Sequence, residues 1–324
     1  MNISKDKIYI DNNLLKIVKN NVVFNVDLEK VSDKFRNAKK ADINKFRYDY
    51  YGIHWDKLNE DLSIEGLIKD SVSKSNYETI NGYEVSEIEK YKFNITPQKI
   101  EENINLYLNG FGKFNGREEF ERFSSFDYCY NYFQSFKNKM EIISNINIEK
   151  SCLQLGFYLA SWGMYRNTDL LNKSIKIYKD FLKFIIDEKN SYLWKLDINE
   201  YNNENINKLL EFIYKFKTNF SDKLIISDTL ISKIMLGVFG NIPAFDRNFK
   251  KGFGFSKINF NNLTKINNFY LSNKQLIDNY KNKIKTLSFS NNEKNFNYPI
   301  AKIIDMIGFI EGIKIKLNNY DTTN

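Results

Sequence analysis

The chain has 324 residues, 42% of them hydrophobic and 16% aromatic, enough apolar material for cores in two domains and too much for a disordered polymer. Its 48 Lys and Arg against 40 Asp and Glu leave a formal charge of +8, which favours anionic partners such as nucleic acid but forms no basic tail, and which the Lys- and Asn-rich bias of an AT-rich genome would also give. Two distant cysteines (Cys129, Cys152), one histidine (His54) and no run of 18 apolar residues exclude a disulfide framework, a zinc site of N and S ligands and a spanning helix, so the expectation is a cytoplasmic protein with no metal, no cofactor and no membrane association.

Residues 1–78 read as a small α+β unit. KIYIDNN, NNVVFNVDL and FRYDYYGIHW are β-branched and aromatic runs broken by Asn and Asp, the pattern of short strands joined by turns, and SIEGLIKDSVSK follows as a helix. Within YGIHWDKLNEDLSIEGL, His54 can be read as a general base. The other reading has His54 and Trp55 closing a small sheet, with NEDLS capping the next helix and Glu60 and Asp61 favouring its N-terminus.

This stretch resembles a small family of uncharacterised bacterial domains with a G-x-H-W…L-D-E-D-[IL]-S-x-E-G-L signature, often encoded beside toxin–antitoxin type genes. Gly52, His54, Trp55, Leu58, Glu60, Asp61, Leu62, Ser63, Glu65, Gly66 and Leu67 match, and Asn59 stands where that family has Asp. The resemblance implies an interaction or accessory domain, with a protein partner bound through residues 1–78.

Residues 79–324 read as an all-α domain of about eight to ten helices, because apolar residues recur at spacings of three and four and strand-like alternation does not return after residue 95. Thr96-Pro97 supplies a cap and a proline at the first helical position. Helices are expected at 97–108, 125–145, 150–163, 168–188, 203–218, 228–239, 272–287 and 299–315.

Two clusters stand out in that domain. SWGMYRN places Trp162, Tyr165 and Arg166 at a helix end weakened by Gly163 and Asn167; these residue types stack on bases and grip phosphate, and the alternative is an interhelical plug with Arg166 paired to Asp169. In SDTLISKIMLGVFGNIPAFDRNFKKGFG, Ser227 caps an apolar helix that Gly240 stops, Pro243 holds the chain extended, and Asp246 falls in the first turn of a new helix among Arg247, Lys250 and Lys251. A helix-end acid paired with Arg247 or Lys250 would account for Asp246 structurally.

Apolar helix, Gly, a short loop with Pro, then Asp and a basic residue looks like the C-terminal half of the catalytic motif of helix–hairpin–helix DNA glycosylases. The resemblance carries over Asp246 alone, as the catalytic carboxylate; if base excision follows, the residue types of Trp162, Tyr165 and Arg166 suit them to stack on the base or grip phosphate, and Arg247, Lys250 and Lys251 would hold phosphates. The hairpin glycines that bind DNA phosphate in that superfamily are missing, since their place reads KLIISDTLIS, and the turn has no equivalent of the lyase lysine. The expectation is therefore a monofunctional enzyme that excises modified bases in defence or repair and leaves an abasic site. SSFDYCYNYFQ, LGFYLASWGMYR and the Asp246 stretch also resemble a widespread family of hypothetical proteins, which implies no chemistry. The alternative function is a non-enzymatic nucleic-acid- or protein-binding component of a toxin–antitoxin or phage-defence system.

Overall fold

A computed structural model describes residues 7–11, 14–19, 22–48, 52–73, 77–79, 95–166, 168–290 and 295–321. The chain divides into two units, Met1–Tyr91 and Lys92–Asn324. The first is a small sheet-and-helix unit and the second is built from helices, an α+β architecture.

In the first unit, β1 (Lys7–Asp11), β2 (Leu14–Lys19) and β3 (Val22–Val26) run antiparallel. Three one-turn helices follow: α1 (Leu28–Val31), α2 (Asp33–Arg36) and α3 (Lys40–Ile43). A second sheet has the order β4 (Arg47–Tyr48), β5 (Ile53–Trp55), β6 (Glu60–Leu62). Then α4 (Ile64–Ser73) leads to β7 (Tyr77–Thr79), which pairs with β3. Strand alternation turns Leu15 and Ile17 inward to meet Val26, Phe35, Ile53, Trp55 and Leu67 in one core. Trp55 packs edge-on against Phe35 with ring centres 4.9 Å apart, and its indole N–H donates to the Ile43 carbonyl at 2.7 Å.

The signature residues sit differently from the capping reading. Glu60 and Asp61 lie on β6 rather than in a helical first turn, because Asn59, at φ 48°, reverses the chain and pairs Trp55 with Glu60 and Ile53 with Leu62. Asn tolerates this left-handed conformation better than most residues. Asp61 Oδ1 lies 2.6 Å from His54 Nδ1 across the pair of strands, and Glu60 meets Lys34 at 2.7 Å, which holds its carboxyl below the usual range. The cap of α4 is Ser63, whose Oγ accepts from Gly66 N at 3.3 Å.

The second unit contains α5 (Pro97–Asn109), α6 (Ser125–Ser135), α7 (Ile148–Ser161), α8 (Lys176–Ile186) and α9 (Asn203–Asn219). These are followed by α10 (Asp228–Val238), α11 (Arg247–Phe253), α12 (Phe260–Ser272), α13 (Lys274–Lys283) and α14 (Ile300–Asp321). Three expected helices are shorter than their patterns. The 125–145 run breaks at Phe136, which is extended, and resumes as a 3-10 turn capped by Asn138. The 168–188 run opens as a separate 3-10 turn over Asp169–Asn172. The 272–287 run stops at Lys283, beyond which Lys285 bridges Asn297. Helix α12 was not anticipated: four asparagines dilute its pattern, yet Leu263, Ile266, Phe269 and Tyr270 form a buried stripe behind an Asn259 cap.

Helix α14 is the centre of this unit, with every residue from Ile300 to Ile310 buried. Its first two amides are capped by Asp197, which accepts from Ile300 N at 2.7 Å and Ala301 N at 3.0 Å. Against α11 it packs backbone to backbone: a Cβ on Gly312 would stand 1.9 Å from the Asn248 carbonyl oxygen, and one on Gly252 would stand 2.2 Å from that of Gly308. Only glycine admits that approach. The contact fixes α11, whose N-cap is Asp246 rather than a residue of its first turn as the sequence suggests.

Candidate functional site

Helix α10 is buried from Leu230 to Val238, and that buried run includes a lysine, Lys233, at 3% exposure. The loop that follows is buried as well, from Phe239 to Phe245. A buried loop must satisfy its own polar backbone, and here side chains from several elements do so. Phe245 N donates to Ser232 Oγ at 2.8 Å and Thr229 Oγ1 donates to the Phe245 carbonyl at 2.9 Å. Ala244 N donates to Asp305 Oδ1 at 3.0 Å, and the Asn241 carbonyl accepts from Tyr201 OH at 2.7 Å. The start of α11 is thereby held rigidly.

Asp246 is the N-cap of α11. Its Oδ1 accepts from Asn248 N at 2.9 Å and Phe249 N at 3.0 Å, and its Oδ2 accepts from Lys233 Nζ at 3.2 Å. The acid is therefore paired with Lys233, not with Arg247 or Lys250, because Lys233 projects from α10 directly under the loop. The Asp246 side chain keeps 17% exposure, whereas that of Lys233 keeps 4%. The carboxylate is reachable and its counter-ion is not.

Trp162, at the end of α7, shares this neighbourhood. Lys233 Nζ lies 4.7 Å from its ring centre, Lys302 Nζ 5.4 Å and the Arg122 guanidinium carbon 5.2 Å. Phe123 stacks on the indole at 5.8 Å and Phe309 meets it edge-on at 5.6 Å. Lys302 is fully buried and donates to Asp305 Oδ2 at 2.8 Å. Burial disfavours its charged form, but Asp305 and Tyr107 outweigh that and raise its affinity for the proton. Burial pushes the Tyr107 hydroxyl up to about 12, against the opposing pull of Lys302. Lys302 lies 4.6 Å from the Tyr107 ring centre, and Trp162 Nε1 has no hydrogen-bond partner among the described residues.

Of the residues expected at a site, Asp246 and Trp162 are joined through Lys233. Arg166 is exposed and folds back on Gly163, where an added Cβ would come within 3.4 Å of its Nε. It forms no ion pair with Asp169 among the described residues. Tyr165 turns the other way, its hydroxyl 2.7 Å from that of Tyr178 on α8. Arg247, Lys250 and Lys251 lie along α11, Arg247 and Lys251 exposed and Lys250 half-buried. Asp127 is fully buried and accepts from Arg117 Nη1 at 3.1 Å, Leu287 N at 2.9 Å and the Tyr298 hydroxyl. No cluster of His, Cys, Asp and Glu suited to a metal occurs among the described residues, and no described helix is long and apolar enough to cross a membrane.

Sequence reading missed Lys233, Lys302, Asp305, Tyr107 and Arg122. Three of these left a signal. A lysine inside LISKIMLGV and the pair Lys302 and Asp305 inside PIAKIIDMIGFI are charges in runs too apolar to be solvent faces.

Comparison with known proteins bears on the first unit alone. Residues 8–73 match the model of a family described as "Protein of unknown function (DUF2442)". No curated protein and no solved structure matches the chain.

Proposed function

We propose that the helical unit binds DNA and excises modified bases as a monofunctional glycosylase, with Asp246 as the catalytic carboxylate. The observation that carries this reading is the fixed, partly exposed Asp246 carboxylate, oriented by two backbone amides and a buried lysine beside a cationic, aromatic surface. A base inside a duplex is unreachable and must be flipped out. Breaking the N-glycosidic bond builds positive charge on the sugar, as in glycoside hydrolysis. A carboxylate that cannot rotate away offsets that charge at little reorganisation cost and can orient the attacking water.

Lys233 supplies the amine that the turn itself lacks. Its Nζ is paired with Asp246 and set over Trp162, so in this state it acts as a buried cation that positions the carboxylate. Arg247, Lys250 and Lys251 would meet phosphates, a contribution that weakens steeply with salt. Trp162 is already packed by Phe123 and three cations, so its part is to shape the site more than to offer an open stacking face.

The test is strand cleavage after alkali on DNA carrying modified bases, with Asp246→Asn alongside. Alkali-dependent nicking by the wild type alone supports the reading. Nicking without alkali, trapped by borohydride and lost in Lys233→Met, would make the enzyme bifunctional instead.

The rival reading, a non-enzymatic binder in a toxin–antitoxin or phage-defence setting, is favoured by one fact: both Asp246 oxygens already have structural partners. It expects salt-sensitive DNA binding or capture of a partner by the first unit, with Asp246→Asn silent in function.

A further inference from the structure

Four cations, Arg122, Arg166, Lys233 and Lys302, gather around the Trp162–Gly163 turn, and the two neighbouring acids are already committed. Asp246 is held by Lys233 and the amides of α11, and Asp305 by Lys302 and Ala244 N. Arg122 and Arg166 therefore have no carboxylate between them, and neither forms an ion pair among the described residues. The Arg122 guanidinium is nevertheless well placed, 5.2 Å from the Trp162 ring centre, 5.4 Å from Phe123 and 5.8 Å from Phe114. Stacking of this kind holds the plane and leaves the N–H donors at its edge.

The geometry points to a phosphate clamp: Arg122, over the Trp162 ring, and Arg166, folded against the adjacent Gly163, bind a single phosphate group at this turn. Two forks of N–H donors match the charge and the oxygens of a phosphate, and bidentate pairing of this type is the strong form of the interaction. Burial, and then the nearness of Arg166, make the Arg122 charge less favourable than usual, a strain that a bound anion relieves. Asp246 acts on Arg122 in the opposite sense, which places the clamp within electrostatic reach of the carboxylate. The buried Trp162 Nε1, with no hydrogen-bond partner among the described residues, is a further polar atom at this turn. The assignment of the phosphate to a DNA phosphodiester rests on the base-excision reading; the clamp itself does not.

The experiment uses the full chain with a labelled 12-residue thymidine oligonucleotide over a salt series, and inorganic phosphate as competitor at constant ionic strength. Arg122→Gln and Arg166→Gln should each lower the slope of log affinity against log salt by about 0.7, the loss of one single-strand phosphate contact, while the exposed Lys176→Gln leaves it unchanged. Arg122→Lys should restore the slope but not the full affinity, since it keeps the charge and loses the fork. Inorganic phosphate should displace the oligonucleotide from the wild type and fail to do so from the two glutamine variants. Unchanged slopes in both glutamine variants, or no binding of either probe by the wild type, overturns the clamp. Arginine-dependent binding of inorganic phosphate without oligonucleotide binding upholds the clamp and removes DNA as its source. Arginine-dependent oligonucleotide binding without base excision upholds the clamp and sinks the glycosylase reading alone.

Discussion

The Lys233 ammonium lies 3.2 Å from Asp246 Oδ2 and 4.7 Å from the centre of the Trp162 ring, so one buried cation ties the end of α7 to α10 and the start of α11. The two partners are unequally dependent on each other. Asp246 keeps two backbone amides and some solvent, whereas Lys233 at 4% side-chain exposure has no other anion among the described residues. Asp246→Asn keeps the cap but strands the ammonium, and should cost about 3 kcal/mol, in the range for breaking a buried pair. Lys233→Met should cost less, about 1–2 kcal/mol, because the acid left behind can hydrate. The double variant should be more stable than Asp246→Asn alone. Urea unfolding of the three variants measures this, and a double variant that is the least stable of all would refute the coupling.

Much of this architecture is legible in the sequence because local rules and tertiary context agree. Thr96-Pro97 and Ser227 are caps in the sequence and caps in the fold, while Asp246, read into the first turn of its helix, sits one position earlier as the N-cap. Helix α12 escaped notice because its asparagines are weak helix formers, and burial of Leu263 and Ile266 overrides them. The run at 125–145 was read too long because apolar spacing continues past Phe136 while the backbone does not. At the site, Asp246 and Trp162 could be named from residue type and position. Their connection could not, since Lys233 reaches both only through folding. Glu60 and Asp61 were misplaced for a related reason: short strands and helix first turns share Asp, Glu and Ser, and the left-handed turn at Asn59 decides between them.

Asp127 gives a pH dependence with a definite sign. Burial pushes its carboxyl up to about 6 from an ordinary 3.8, against the stabilising effects of Arg117, Tyr298 and the Leu287 amide. The folded state thus holds this proton more tightly than the unfolded chain does. Its contribution to stability is fully present below pH 3.8 and is lost as pH rises through 6. The stability of the wild type relative to Asp127→Asn should therefore grow by about 2–3 kcal/mol between pH 7 and pH 4. Denaturant unfolding of both proteins at several pH values checks it; a difference that shrinks on acidification would contradict it.

Gly163 couples the backbone to the phosphate clamp. At φ 73° it occupies the left-handed region, and an added Cβ would come into van der Waals contact with the Arg166 guanidinium, 3.4 Å from its Nε. Gly163→Ala should cost about 1 kcal/mol of stability and should weaken oligonucleotide binding without touching any phosphate directly. Arg166→Gln made on top of Gly163→Ala should then add little. Full additivity of the two losses in a binding titration would place Arg166 outside the clamp.

The α11–α14 contact makes the position of Asp246 depend on residues far from it in sequence. Gly312 sits where a Cβ would approach the Asn248 carbonyl oxygen to 1.9 Å, two residues beyond Asp246. Backbone cannot yield to a methyl group as a flexible side chain can, so Gly312→Ala must move α11 away from α14. The cost should be about 3 kcal/mol, at the upper end for overpacking, and the shift should carry the Asp246 carboxylate away from Lys233, whose own helix is locked by its neighbours. Gly254→Ala, where an added Cβ meets nothing within 4 Å, provides the comparison at the other end of α11. If α11 is set by α14, Gly312→Ala lowers both stability and any Asp246-dependent excision, whereas Gly254→Ala costs only the strain of its φ of 68° and leaves excision intact. Thermal unfolding paired with the alkaline cleavage assay reads both, and a Gly312→Ala protein with wild-type stability would remove the contact from its proposed role.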